Sequence, residues 1–437
     1  MATKRLPLEG VRVLDFAVVW AGPFGTMQLG DLGAEVVKVE NTHVWQPMAR
    51  GGMARPNPAI MAMQQPWAGG YPNGGDLKRP WNVSPTFVQI FRNKYSFTVD
   101  LQTDEGRKIL ERLISVCDVF YENNVTETME KLGISYEYLK SIKPDIIMLR
   151  APAYGSTGPY RNYRALGVHL EGVSGHSMLR HYRDTDPSTN SQIYAGDYFA
   201  GTHGAFAVIA ALEHRRKTGK GQLIEIGQNE TAMGMLAQFV MNYALNQDPS
   251  EAIGNRDIHG GVPCGAFKMS GEDRWLALTV YGDEQWLGLA DVLGNPAWMA
   301  EERFATVDGR KANEDELEKL LAAELLSREV WETTRALQAK GIAAGPIMDA
   351  GDAFHNEHVR ARGTLVPVKH PDIPGEHLFP GPLWKWSDAP VTIRKAPVTL
   401  GEDNDYVYRE VMGFSEAEYE TFKEHGHIGT EYDPSIA

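Results

Sequence analysis

Asp197 lies in the run Tyr194-Ala-Gly-Asp-Tyr-Phe-Ala-Gly201, between a polar loop and an apolar stretch, Tyr198 to Arg215, that reads as a helix. A carboxylate among glycines at the mouth of a helix can serve as a nucleophile, held where helix amides steady negative charge. The same position also suits a helix N-cap, whose side chain accepts hydrogen bonds from the first turn. Two glycines, Gly260 and Gly261, follow His259 in a loop. Adjacent glycines let backbone amides approach a ligand, and equally let a loop hinge.

The elements that must position Asp197 begin with Val11 to Phe16 and Glu35 to Val39, two β-branched runs separated by a Gly-Pro turn and a helical stretch, Phe24 to Leu32. The alternation resumes with strand-like Ser96 to Asp100, Asp118 to Tyr121 and Asp145 to Arg150, interleaved with helix-like Asp104 to Val116 and Ser135 to Ile142. Strands alternating with helices of about ten residues predict an α/β fold with an open, mostly parallel sheet. A strand, Gln222 to Ile226, and a helix, Gln228 to Leu245, complete a first large region at 1–247.

The character then changes to pieces punctuated by Asp and Gly, with antiparallel strands at Gly265 to Met269 and Trp275 to Val280 and a helix at Glu284 to Leu293. This predicts a smaller α+β domain at 248–345. The remaining 346–437 carries extended, proline-rich pieces that can return to the first sheet. From Asn41 to Asn93 the pattern breaks into Gly, Pro, Met and Trp, including Met48, Met53, Met61, Met63, Trp67 and Trp81. So long an irregular segment suggests a lid or pocket wall.

The 437 residues are more than one compact core usually holds. Lys and Arg number 43 against 57 for Asp and Glu, a net charge of −14, which argues against nucleic acid or an anionic membrane as partner. Two distant cysteines, Cys117 and Cys264, indicate neither a disulfide framework nor a zinc site and suit a reducing cytoplasm. No apolar run approaches the ~20 residues of a membrane span.

Ala21-Gly-Pro-Phe-Gly25 stands where a dinucleotide fingerprint would stand but lacks GxGxxG, and neither a phosphate-binding P-loop, nor HExxH, nor GxSxG occurs. Nicotinamide, flavin, zinc-protease and serine-hydrolase chemistry are thereby disfavoured. Asn93-Lys94, Asn123 and Asn124 adjoin strand ends, where open sheets face their ligand crevice.

In order and spacing, the elements Leu8 to Phe16, Ala21-Gly-Pro23, Asp31 to Glu40, Asn93-Lys94, Asp118 to Asn123, Tyr154 to Pro159, Gly196-Asp197, Ala210 to Gln222 and Gly413 to Glu416 resemble the class III CoA-transferases. The resemblance spans nearly the whole chain. It implies a Rossmann-like large domain completed by the C-terminus, an inserted small domain, and an obligate dimer of two interlocked rings. It implies that Asp197 is the nucleophile, with Gly260 and Gly261 as a glycine loop that donates amides or excludes water. CoA contacts would fall on Val19, Trp20, Ala21, Lys94, Asn123, Asn124 and Lys131. Coenzyme A enters as part of an acyl-CoA substrate, beside a carboxylic acid, with no tightly bound cofactor and no metal.

Three positions depart from formyl-CoA transferase. Trp20 replaces a glutamine, Asn41 replaces an adenine-side arginine, and the glycine run shrinks to Gly260-Gly261. An apolar cavity and an acid larger than oxalate follow from the tryptophan and the methionines. Two alternatives accompany this reading: an acyl-CoA racemase, in which His169 would move the α-proton, and a non-catalytic subunit of a heteromer.

Overall fold

A computed structural model describes residues 5–46, 50–62, 71–72, 77–191 and 193–436. The chain divides into two compact units. One comprises Met1–His176, Gln192–Gln247 and Gly363–Ala437; the other comprises Ser177–Ser191 and Asp248–Arg362.

The first unit is built on six strands: β1 (Arg12–Asp15), β2 (Glu35–Glu40), β3 (Lys94–Thr98), β4 (Val119–Glu122), β5 (Ile147–Arg150) and β6 (Leu223–Glu225). All pair parallel in the order β3-β2-β1-β4-β5-β6. This is the doubly wound order, and its direction reverses between β1 and β4, where the carboxyl ends of two strands open a crevice. Register explains the two cores. Leu14, Val37, Phe120 and Met148 lie level across the sheet and pack on one face, while Val13, Val36, Val119 and Ile147 pack on the other. Because side chains alternate along a strand and both faces are covered, such strands read as continuous apolar runs.

Helices start and stop on local chemistry. Thr103 caps Asp104–Ser115 by accepting the Gly106 amide at 3.0 Å, and Asp104 and Glu105 occupy the first turn. The helix carrying Asp197, Ala195–Thr218, ends on left-handed Gly219 behind Arg215, Arg216 and Lys217. It packs against Ala21–Asp31 through glycines. A Cβ on Gly201 would lie 2.5 Å from the Ala21 carbonyl oxygen, and one on Gly25 would lie 2.8 Å from that of Gly201. That close approach brings the helix mouth to the loop after β1.

The C-terminal segment does not add a strand to the six-stranded sheet. Its extended pieces form a separate antiparallel pair, β10 (Leu365–His370) with β11 (Ile373–Pro380). The segment instead contributes Val407, Tyr408, Met412 and Phe422 to the core on one sheet face. Within the irregular segment, Met61 and Trp81 are buried in small apolar clusters, Trp81 beside Leu400 and Tyr432. These two are core residues and not a pocket wall. Met53 is exposed, and Met48, Met63 and Trp67 lie outside the described residues.

The second unit holds an antiparallel sheet, β7 (Gly261–Lys268), β8 (Trp275–Tyr281) and β9 (Ala343–Ile347), in that order. Leu276, Leu278, Trp286, Leu289, Phe304 and Leu337 form its core. Residues 346–362 belong here and not to a return segment, because β9 runs through Pro346 and Ile347 as the partner of β8. The polar loop Ser177–Ser191 also belongs here, where Tyr182 accepts a hydrogen bond from Asn255 Nδ2 at 2.6 Å. Among the described residues no helix is long and apolar enough to cross a membrane.

Candidate active site

Asp197 stands in the first turn of its helix, two residues inside the start, and not at the cap. The cap position is Tyr194, held left-handed at φ +54°. The Asp197 side chain is 5% exposed, and its Oδ2 has no hydrogen-bond partner among the described residues. A buried, unsatisfied carboxylate oxygen costs free energy and marks a site built for something other than stability.

The oxygen has its room because residue 167 is glycine. A Cβ there would lie 2.2 Å from Oδ2. The carboxylate opens onto a slot of about 50 Å³ lined by Val19, Asn123, Val125, Leu166 and Gln228 among others. The slot sits at the carboxyl ends of β1 and β4, the point where the strand order reverses.

Burial pushes the Asp197 carboxyl up to about 7. A hydrogen bond from the Ala21 amide opposes the rise, and the negative charge of Glu171 adds to it. Glu171 is itself buried, on the helix Gly167–Val173, where its Oε1 accepts the Ala195 amide at 3.0 Å. It therefore anchors the first turn of the helix that carries Asp197. A carboxyl poised near neutrality, in a crevice, beside a second acid is the electrostatic signature of a reactive group.

Trp20 and Ala21 lie on the slot's loop, Trp20 capping the helix Ala21–Asp31. The Trp20 ring stacks on Tyr194, centroids 5.5 Å apart and planes 20° apart, and meets Tyr198 edge-on at 5.9 Å. An aromatic wall thus stands over the mouth of the helix.

The remaining expected contacts divide. Asn123 and Asn124 are at the crevice, but their side chains bind the loop after β1: Asn123 Nδ2 donates to the Val18 carbonyl at 2.9 Å, and Asn124 Nδ2 to that of Phe16 at 3.1 Å. Lys94 is wholly buried and meets no surface phosphate. Its three donors go to Asp15 Oδ2 at 2.9 Å, the Pro23 carbonyl at 2.9 Å and Thr26 Oγ1 at 2.8 Å. A buried ammonium must saturate its donors, and this one holds the strand ends together. Lys131 is 69% exposed and, among the described residues, pairs with Glu127 one helical turn earlier, so it is available to an anion.

Gly260 and Gly261 belong to the second unit. Gly260 is left-handed at φ +105°. Gly261 opens β7, and its amide donates to Asp257 Oδ2 at 2.7 Å, so that amide is engaged and does not stand ready as an oxyanion donor. His169 is exposed, and its Nδ1 accepts the Leu166 amide at 3.1 Å, capping its own helix.

Sequence reading left the roles of Gly167, Glu171 and Tyr194 undefined. The one signal was an acid, Glu171, inside the short stretch Gly167-Val-His-Leu-Glu-Gly-Val173. A second cavity, of about 250 Å³, lies beyond β2 and β3 and is lined mainly by Phe16, Val39, Asn41, Val99, Leu101 and Arg107. Arg107, which no motif singled out, is the cation there.

Comparison with known proteins places the fold and the family. The family model described as CoA-transferase family III matches residues 8–404. The beta subunit of succinyl-CoA–L-malate CoA-transferase from Chloroflexus aurantiacus is 30% identical over 417 residues, covering 94% of this chain and 95% of that protein. Succinyl-CoA:glutarate CoA-transferase from Mus musculus is 30% identical over 421 residues, covering 95% and 88%. The crystal structure of a CAIB/BAIF family protein from Brucella suis superposes with a TM-score of 0.77 at 28% identity, covering 93% of this chain and all of that one. The chain belongs to CoA-transferase family III, and it is a CoA-transferase.

Proposed function

We propose that the protein moves CoA from an acyl-CoA donor to a carboxylic acid through covalent intermediates on Asp197. The observation that carries the proposal is the buried Asp197 carboxylate with its unpartnered Oδ2 facing a slot at the strand-reversal crevice. Asp197 attacks the donor thioester carbonyl, the C–S bond breaks, and a mixed anhydride forms with release of CoA thiolate. The thiolate attacks the aspartyl carbonyl, expelling the donor acid as carboxylate and leaving an aspartyl-CoA thioester. The acceptor carboxylate then displaces the thiolate to give a second anhydride. Attack of the thiolate on the acceptor's acyl carbon yields the new acyl-CoA and frees Asp197. No net proton is consumed, and each exchange is split into steps between groups of similar reactivity.

Relatives named for succinyl-CoA support succinyl-CoA as the donor to test first. Among the described residues the slot lining includes no cation, and Trp20, Tyr194 and Tyr198 gather beside it. An acceptor with an apolar body larger than oxalate suits that wall. The cavity beside Asn41 and Arg107, near exposed Lys131, suits the nucleotide end of CoA.

The chain's own partner is a second copy. Phe206 is 71% exposed on the helix of Asp197 and lines a cavity with exposed Met235, while Leu245 is 76% exposed one turn after exposed Met241 on the helix Ala237–Asn246. Exposed apolar side chains of this size suit burial against another subunit, in the interlocked dimer the family resemblance implies. Relatives named as alpha and beta subunits keep a related chain as the other partner. Light scattering of the chain expressed alone distinguishes the two.

The decisive experiment incubates the protein with succinyl-CoA and a panel of acids, traps with hydroxylamine or borohydride, and maps the modified residue. Adducts at Asp197, absent from Asp197→Asn, are the expected result. Exchange by the asparagine variant at the normal rate would refute it.

A further inference from the structure

The loop facing Asp197 is held in a conformation its sequence disfavours. Val19 lies at φ +62°, a left-handed region that β-branched residues avoid. Such strain persists only where the surroundings over-determine it, and the two preceding residues are bound at every backbone polar atom. The Ala17 amide donates to Asp15 Oδ1 at 3.0 Å, and the Ala17 carbonyl accepts Lys38 Nζ at 2.5 Å. The Val18 amide donates to Asn123 Oδ1 at 2.7 Å, and the Val18 carbonyl accepts Asn123 Nδ2 at 2.9 Å.

These three side chains come from three adjacent strands: Asp15 ends β1, Lys38 lies in β2, and Asn123 follows β4. Asp15 and Lys38 are wholly buried. Asp15 is braced in turn by Lys94 and Thr26 through its other oxygen. None of the three makes or breaks a bond in the transfer steps, and burying a lysine and an aspartate beneath a loop is costly.

We infer that Asp15, Lys38 and Asn123 are positioning residues that hold Val19 left-handed and so fix the Ala21 amide against the Asp197 carboxylate. Val19 is two residues from Ala21, and Trp20 between them is locked on Tyr194. The ionisable groups around Asp197 are Glu171 from the helix Gly167–Val173 and Tyr194 and Tyr198 of its own segment. Asn123 is uncharged, so its replacement leaves the charges of these groups in place.

The inference relies on Asp197 as nucleophile only for its kinetic readout. Asn123→Ala removes two of the four loop bonds without altering charge. Its expected effects are a kcat lowered by about 10²-fold, a smaller change in KM for succinyl-CoA, and titration of Asp197 at higher pH than in the natural protein. That titration is read without substrate, from the carboxyl infrared band absent in Asp197→Asn.

A merely structural asparagine would lower the melting temperature and leave the midpoint unmoved. Adding Val19→Gly to Asn123→Ala is expected to restore most of the rate and the midpoint, since glycine takes the left-handed conformation without strain. If Asn123→Ala fails to fold, Asn123→Ser, which keeps a hydroxyl for the Val18 amide, carries the same measurements. An unmoved midpoint, or a double variant as impaired as the single, overturns the inference. A shifted midpoint in a protein that never forms an Asp197 adduct would leave the positioning intact and remove the transfer mechanism.

Discussion

Gly167 and Asp197, thirty residues apart in the chain, are complementary in shape: the hydrogen of the glycine leaves the space that Asp197 Oδ2 occupies, and a Cβ would lie 2.2 Å from that oxygen. The pair limits where the carboxylate of Asp197, the proposed nucleophile, can sit. Gly167→Ala should therefore displace the carboxylate and lower kcat by about 10²-fold, with a folded circular-dichroism spectrum and a nearly unchanged KM for acyl-CoA. Full activity in this variant would show that the carboxylate is not held by that wall.

The Asp197 carboxyl is raised from its ordinary value to about 7, and its sign has two consequences. In the proposed mechanism the anion attacks, so kcat/KM, which reports the free enzyme, should fall below about pH 7 as the group protonates. A rate flat from pH 5 to 8 would contradict this.

Stability carries the opposite sense. A carboxyl whose folded value lies above its unfolded one contributes stability below the unfolded value and loses it as pH rises through the folded value. Asp197→Asn is thus expected to be more stable than the natural protein at pH 8, by about 2–4 kcal/mol, and nearly equal to it at pH 4. Urea denaturation at the two pH values tests this, and equal stability at pH 8 would speak against the strained carboxylate.

Two lysines with the same expected role should separate. Lys94→Met leaves buried Asp15 without its ion-pair partner, with Lys38 as the remaining cation nearby, and should cost roughly 3 kcal/mol of folding stability. Lys131→Ala removes an exposed, solvent-screened ion pair that adds little to stability and should raise the KM for acyl-CoA at unchanged kcat. A melt of each variant, with kinetics of the second, decides both.

The aromatic wall makes a prediction about the acceptor. Trp20→Gln opens the stack on Tyr194 and should shift acceptor preference toward smaller acids, read as a ratio of kcat/KM values for a small and a bulky acid. An unchanged ratio would place selectivity elsewhere.

Sequence alone determined the alternation of β1 to β6 with helices, because β-branched runs and helical periodicity are local signals that a covered parallel sheet reinforces. It also singled out Asp197, through a Gly-Asp element whose order relative to the other motifs matched a family. Tertiary structure decided what each charge does. Lys94 and Lys131 look alike in a string of letters, yet one is enclosed by Asp15, Pro23 and Thr26 and the other projects into solvent. Gly167 gave no sign of its role, since its task is to leave room for an atom thirty residues away. The resting level of Asp197 was likewise beyond the sequence, because desolvation is a property of everything packed around a carboxylate and of no residue by itself.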